Sequence, residues 1–304
     1  MNTEWKGIFP AVTTKFKEDD SLDFDAMRHN FEAQIEAGVH GIIVSGSLGE
    51  SSTLTPREKL DVLQLALDVS SGRIPVLIGV AERRTIDACD FVRKAGDLGA
   101  DGFMVLPPMQ YKTDERETMH HFRTVAKASA KPIMVYNNPV AYAVDVTPEM
   151  FIELADEPKF VAIKESSDNV RRISDIYNAV GNRYQVFTGV DNLALESLLI
   201  GAVGWVAGLV CAFPRETVVI YELAQAGKLE EARALYRWFR PLLDLDVNTK
   251  LVQNIKLAEV ATGLGTERVR PPRLPLIGEE REHVMKVIED ALAVRPKLPE
   301  PLAV

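Results

Sequence analysis

Apolar and polar positions alternate along this chain on two length scales. Short apolar runs bounded by glycine, proline or charged residues recur at 7–14, 41–44, 75–80, 102–106, 132–136, 160–164, 184–188 and 203–209. Such runs are the pattern of strands buried on both faces. Between them lie stretches with apolar residues three and four apart, as with Met27, Phe31 and Ile35. That spacing predicts helices over 25–37, from 55 onward, and over 85–98, 114–128, 148–155, 169–180, 193–200 and 215–226. Thr55-Pro56-Arg57-Glu58 is a capping box with proline at the first helical position, and Gly38 and Gly99 stand where two helices should stop. Eight strand–helix units in unbroken alternation predict a closed (β/α)8 TIM barrel over residues 1–226 rather than an open sheet.

After Gly227 the pattern changes. Residues 228–243, 247–261 and 279–293 are amphipathic helical stretches with no strand between them. They predict a C-terminal helical extension over 227–304, serving as an appended subdomain or an oligomer contact. The tail 295–304, with Pro296, Pro299 and Pro301, reads as extended chain.

Composition narrows the function. At 304 residues, 46% hydrophobic and 26% charged, the chain is an ordinary globular one, long enough for a single large barrel. A net charge of −9 with no basic stripe excludes a nucleic-acid surface. Cys89 and Cys211 stand far apart in apolar settings, which suits buried thiols in a reducing compartment rather than a disulfide. The first residues show no basic segment followed by an apolar core. The apolar run 198–213 is short for a bilayer span and is broken by Gly201, Gly204 and Gly208. A helix end followed by a buried strand fits it better, so a cytoplasmic protein with no membrane partner is expected. The histidines lack partners at metal-ligand spacing, and there is no Walker or dinucleotide fingerprint, so neither a metal nor a nucleotide cofactor is expected.

In a barrel the chemistry belongs at the C-terminal ends of the strands. Those ends carry Thr13–Thr14, Gly46–Ser51, Gly79, Pro107–Tyr111, Tyr136–Pro139, Lys164–Ser167, Gly189–Asp191 and 207–209. Lys164 closes an otherwise apolar run. It either snorkels to water, pairs with Glu165, or is a desolvated amine of the kind that Schiff-base chemistry requires. Tyr136 ends the preceding strand, and a phenol beside an amine can relay the protons of carbinolamine formation; a packed ring with one hydrogen bond is its plainer role. The turn Gly46-Ser47-Leu48-Gly49-Glu50-Ser51 offers main-chain N–H groups and a hydroxyl as a carboxylate cradle, or serves the backbone alone.

Taken together, G-S-L-G-E-S at 46–51, Y-N-N-P at 136–139 and I-K-E-S-S at 163–167 resemble the dihydrodipicolinate synthase/N-acetylneuraminate lyase family, from Trp5 to Ala293. The resemblance implies that Lys164 forms the Schiff base, Tyr136 transfers protons, and Ser47 helps relay them and holds a 2-oxo acid carboxylate. Gly46, Leu48, Gly49, Asn138, Gly189 and Ala207 would line the substrate. It further implies no cofactor beyond the covalent Schiff base, a small 2-oxo or imino acid substrate, and a homotetramer or dimer.

The departures bear on the substrate. Leu48 stands where the family has a second hydroxyl residue. Ala141, followed by Tyr142, stands where the synthase branch has the arginine that grips a second carboxylate. Pro108-Met109-Gln110-Tyr111 replaces a tyrosine pair, with Tyr111 able to supply a ring if the loop shifts. The resulting pattern is most similar to the branch that deaminates 1-pyrroline-4-hydroxy-2-carboxylate in hydroxyproline breakdown. A 2-keto-3-deoxy sugar acid aldolase, the synthase itself, and a barrel that binds a 2-oxo acid without turning it over are the alternatives.

Overall fold

The apolar runs pair side by side into one sheet that closes on itself. The computed structural model describes residues 4–299. Its strands are β1 (Gly7–Pro10), β2 (Ile42–Val44), β3 (Val76–Val80), β4 (Gly102–Val105), β5 (Ile133–Asn137), β6 (Phe160–Glu165), β7 (Gln185–Thr188) and β8 (Gly204–Ala207). All neighbours are parallel, in the order β1-β8-β7-β6-β5-β4-β3-β2. The barrel closes between β1 and β2, where Ala11 bridges Ile43 and the Val12 N–H donates to the Ile43 carbonyl at 3.0 Å.

Helices α1 (Phe24–Glu36), α2 (Pro56–Ser70), α3 (Thr85–Leu98), α4 (Glu115–Ala128), α5 (Pro139–Tyr142), α6 (Pro148–Leu154), α7 (Arg171–Val180), α8 (Ala194–Leu199) and α9 (Pro214–Gln225) follow the strands in turn. The expected capping box is present: Thr55 accepts from the Glu58 N–H while Glu58 reaches back to the Thr55 N–H. The fold is therefore the (β/α)8 TIM barrel that the alternation predicted. The run 198–213 is the end of α8 followed by β8, and among the described residues no helix is long and apolar enough to cross a membrane. Cys89 and Cys211 are buried free thiols.

Side chains alternate across the sheet wall. Phe9, Ile43, Leu77, Met104, Met134, Ala162, Phe187 and Val206 fill the barrel, while Ile133, Val135, Phe160 and Ile163 pack outward under the helices. Each fully buried side chain of this size stabilises the fold by about 1.5–3 kcal/mol. The same alternation aims Tyr136 and Lys164 inward and Glu165 outward.

Helices α10 (Leu229–Leu243), α11 (Leu251–Thr262) and α12 (Gly278–Ala293) form the C-terminal part. Trp238 stacks on Phe239, which meets Phe213 edge-on at 5.6 Å, so α10 is tied to the segment after β8. Buried ion pairs tie α11 to the barrel: Lys256 to Glu50 at 2.6 Å and Glu259 to Lys15 at 2.5 Å.

Three of the boundaries that differ from the expectation, and one additional helix, each have a local reason. β1 stops at Pro10, not at 14, because Pro10 has no N–H to donate and Thr13 and Lys15 turn their side chains onto Glu259. β8 stops at Ala207, not at 209, because the Gly208 and Leu209 N–H groups donate to the Asp191 carboxylate instead of a strand. α11 starts at Leu251, not at 247, because the Asn248 side-chain Oδ1 accepts from the Lys250 N–H at 2.8 Å and holds a turn there. The short α5 was not expected. Pro139 sits at its first turn and Asn138 caps the Ala141 N–H at 2.9 Å. Of the tail expected to be extended, 300–304 lie outside the described residues and 295–299 carry no regular structure.

Candidate active site

The site grows from adjacent strands. Tyr136 and Lys164 are partners in the β5–β6 register, which sets both side chains at the same height inside the barrel. The Lys164 ammonium lies 4.2 Å from the centroid of the Tyr136 ring. Both residues are buried, at 7% and 5% exposure. No ion pair reaches Lys164 among the described residues. Glu165, the partner offered by the plainest reading of the sequence, points outward and accepts from Asn137 at 3.0 Å and the Ser167 N–H at 2.6 Å. Burial pushes the Lys164 amine below its ordinary range, against the opposing pull of Tyr142, Asp246 and Asp191. Gly189, at the end of β7, leaves room for this lysine. A Cβ there would lie 2.5 Å from Lys164 Cε.

Around Tyr136 runs a line of hydroxyl groups. Asn138 Nδ2 donates to the Tyr136 hydroxyl at 3.1 Å. The Tyr142 ring meets the Tyr136 ring edge-on, with centroids 5.7 Å apart. Tyr142 also bonds Ser47 Oγ. Burial raises both phenols, so each is neutral and able to donate. Ser47, Tyr142 and Tyr136 thus place three hydroxyl groups in a row beside the amine.

The structure brings Lys164, Tyr136, Ser47, Asn138 and Gly189 together. Gly46 and Gly49 shape the turn: the Gly46 carbonyl accepts from the Ser51 N–H, the Gly49 carbonyl accepts from Thr14 Oγ1, and a Cβ on Gly49 would sit 3.0 Å from the Val12 carbonyl. Among the described residues no hydrogen bond occupies the Ser47 and Leu48 N–H groups, which leaves the cradle available. Leu48 and Ala207 contribute differently from expectation. Both side chains pack into the core between strands and helices, so only their main-chain atoms can meet a ligand. Tyr111 is 61% exposed and donates to Glu117, so it does not complete the relay.

Sequence reasoning missed Tyr142 as a relay member and missed Asp246. Tyr142 was visible as the neighbour of the absent arginine, but its reach to Ser47 depends on the turn of α5. Asp246 lies 55 residues beyond Asp191 in the sequence, and nothing local signals that the two meet. Asp191 is fully buried and accepts from Trp205 Nε1 at 2.9 Å and from the Leu209 N–H at 2.8 Å. Asp246 crowds the same glycine that donates to Asp191: its Oδ1 would lie 2.5 Å from a Cβ built on Gly208. Among the described residues no cluster of three or more His, Cys, Asp or Glu is arranged to hold a metal ion.

A parallel eight-stranded barrel with a lysine in no ion pair among the described residues and two tyrosines beside it at its C-terminal mouth defines a class: the chain is a class I aldolase-type Schiff-base lyase. It belongs to the dihydrodipicolinate synthetase family, whose model matches residues 4–291. Enzymes of this family react through a covalent Schiff base on an active-site lysine and need no external cofactor. The chain is 33% identical over 292 residues to the 4-hydroxy-tetrahydrodipicolinate synthase of Methanospirillum hungatei, covering 95% of this chain and 99% of that protein. Among solved structures it resembles dihydrodipicolinate synthase from Aquifex aeolicus (TM-score 0.89, 30% identity, 94% of this chain and 98% of that one). It also resembles the Acinetobacter baumannii synthase complexed with pyruvate (TM-score 0.90, 28% identity, 94% and 98%).

Proposed function

We propose that Lys164 is the Schiff-base lysine, Tyr136 the proton-transfer group and Ser47 the hydroxyl that completes the relay through Tyr142. The substrate would be a small 2-oxo or cyclic 2-imino monocarboxylate, and the best fit is 1-pyrroline-4-hydroxy-2-carboxylate, converted to 2,5-dioxopentanoate and ammonia. The observation that carries this choice is the mouth of the barrel. Where a dicarboxylate substrate needs a cation, this chain places Ala141, and the negative charges of Asp191 and Asp246 act on Lys164. Arg172, which reaches the 139–147 loop from α7, is held in a fork on Asp145. An acidic mouth without a free guanidinium disfavours a second carboxylate and accepts a hydroxyl.

The chemistry follows from the residues. The neutral Lys164 amine adds to the C2 imine, and the C2–N bond of the ring breaks, leaving a primary amine on C5. The proton lost from C3 passes to the Tyr136 relay and gives an enamine. The enamine breaks the C4–O bond, and the hydroxyl leaves as water. A shift of a proton from C5 yields a C5 imine, which one water hydrolyses to aldehyde and ammonia. A second water frees Lys164. One water is released and two are consumed, which balances substrate plus water against product plus ammonia.

A second reading is favoured by the name shared among the curated relatives, 4-hydroxy-tetrahydrodipicolinate synthase. Assaying the purified protein in parallel separates the two. The proposal expects ammonia from 1-pyrroline-4-hydroxy-2-carboxylate and negligible condensation of pyruvate with aspartate semialdehyde, since loss of an Arg–carboxylate pair costs about 2–5 kcal/mol of binding. Robust condensation without ammonia release makes the synthase reading the correct one. The same proposal divides the chain into a barrel over 1–226 and an extension over 227–304 that mediates a homo-oligomer. Light scattering at micromolar concentration should show a dimer or tetramer, and a monomer contradicts it.

A further inference from the structure

Two consecutive asparagines stand at the end of β5, and they hold different things. Asn137 is buried and fixes the return limb of the 139–147 loop: its Nδ2 donates to Asp145 at 3.2 Å and its Oδ1 accepts from the Val146 N–H at 2.8 Å. Asn138 caps α5, where its Oδ1 accepts from the Ala141 N–H at 2.9 Å and its main-chain carbonyl accepts from the Tyr142 N–H at 3.0 Å. Those two bonds set the turn from which the Tyr142 hydroxyl meets Ser47.

The cap also fixes which way the Asn138 amide faces. A main-chain N–H can only donate, so the amide atom beside Ala141 is the oxygen and the one beside Tyr136 is the nitrogen. Nδ2 accordingly donates to the Tyr136 hydroxyl oxygen at 3.1 Å. Since Asn138 supplies a proton to that bond, the phenol keeps its own for another acceptor. The Lys164 ammonium lies against the same ring, 4.2 Å from its centroid. Burial raises the Tyr136 phenol, and the Asn138 hydrogen bond works against that rise.

We propose that Asn138 is a positioning residue, whose amide ties the α5 cap to the Tyr136 hydroxyl, leaves the phenolic proton free to move and stabilises the phenolate that results. The inference deepens the proton-transfer role given to Tyr136 above and rests on it, not on the choice of substrate. It also reassigns Asn138, which the family resemblance places among the substrate-lining residues, because the cap and the phenol already engage its amide. In the step, the phenol protonates the ring nitrogen as the C2–N bond breaks, or the carbinolamine oxygen of a 2-oxo acid as water leaves. The phenolate then accepts from the Asn138 N–H until the proton removed from C3 restores the phenol.

The test uses pyruvate, whose Schiff base on Lys164 opens its C3 protons to exchange. Wild type, Asn138→Ser and Asn138→Asp are compared by the rate at which the pyruvate methyl protons are replaced in deuterated water. Borohydride trapping at saturating pyruvate is measured on the same samples. Both variants keep an N-cap acceptor for α5 and lose the amide donor to Tyr136. The maximal exchange rate should fall roughly 10–100-fold, with half-saturation and the extent of trapping at wild-type levels. In a Tyr136→Phe background the same substitutions should change nothing further, because the hydroxyl through which they act is gone. Exchange at the wild-type rate in both variants overturns the assignment. So does a loss confined to half-saturation, which marks a substrate-binding residue, or an equal further loss in Tyr136→Phe, which marks a general structural effect. Ammonia release from the 4-hydroxy substrate by wild type is read alongside. Its absence overturns the deaminase reading, while the exchange comparison still decides the role of Asn138.

Discussion

Lys15, Lys59 and Lys256 on one side and Lys164 on the other meet the cost of burying an ammonium in opposite ways. All four are less than a tenth exposed. Lys15 lies 2.5 Å from Glu259, Lys59 2.7 Å from Glu82 and Lys256 2.6 Å from Glu50. Each of these has a carboxylate of its own and serves architecture, above all the seam between α11 and the ends of β1 and β2. Lys164 has an aromatic face and a hydroxyl chain instead. Burial alone therefore does not make a lysine reactive. On the proposed reading, what distinguishes the reactive one is burial without a dedicated counter-ion, next to hydroxyl groups able to move protons.

That contrast can be broken at either end. Lys164→Ala should reduce turnover by several orders of magnitude while leaving thermal stability unchanged or raised, because no partner is orphaned. Steady-state kinetics and a melting curve on one preparation check both halves; loss of the fold would move Lys164 into the architectural group. Tyr136→Phe keeps the ring under the ammonium and removes the relay hydroxyl, so kcat should fall roughly 10²–10⁴-fold. A loss confined to KM would make Tyr136 a binding group.

At the architectural end, Lys256→Met takes from the buried Glu50 carboxylate its close cation, leaving the Arg270 N–H and the Arg273 guanidinium 3.9 Å away. It should cost about 3–5 kcal/mol in denaturant unfolding, and the double variant Lys256→Met, Glu50→Leu should recover most of it. Failure of the double variant to recover would show that Glu50 matters for more than the pair. The burial shift itself is consistent with this architecture, since desolvation lowers the Lys256 amine to about 8 despite Glu50.

His121 is a third way to bury a base, as the neutral form. Burial lowers it to about 4 from the ordinary 6.5, and Thr85 Oγ1 bonds its Nδ1 at 3.0 Å. The unfolded chain takes up the proton near 6.5 and the folded one only near 4. The contribution is thus complete above about pH 6.5 and is lost as pH falls toward 4, up to about 3 kcal/mol. Urea unfolding should show wild type losing that much more than His121→Phe across this window. Equal losses would mean that His121 is not held neutral.

The barrel was legible because strands buried on both faces impose continuous apolar runs and helices impose a period near three to four, and eight repeats of the unit leave little else to build. Lys164 and Tyr136 were legible for the same reason, as strand-end positions of matching register. Tyr142, Asp191 and Asp246 were not legible as a site. Tyr142 depends on a four-residue helix held by Pro139 and the Asn138 cap, and Asp246 on how the extension settles over Gly208. The early end of β8 has the same origin, since a carboxylate from the segment after β7 took the amides that Gly208 and Leu209, the last two residues of the apolar run, seemed to offer to a ladder.

The central claim is that one of four buried lysines is the nucleophile. Borohydride reduction in the presence of pyruvate, followed by peptide mass mapping, tests it directly. The account predicts one reduced pyruvate adduct per chain, on Lys164, with Lys15, Lys59 and Lys256 unmodified and no adduct in Lys164→Ala. An adduct on another lysine, or an undiminished adduct in Lys164→Ala, would contradict it.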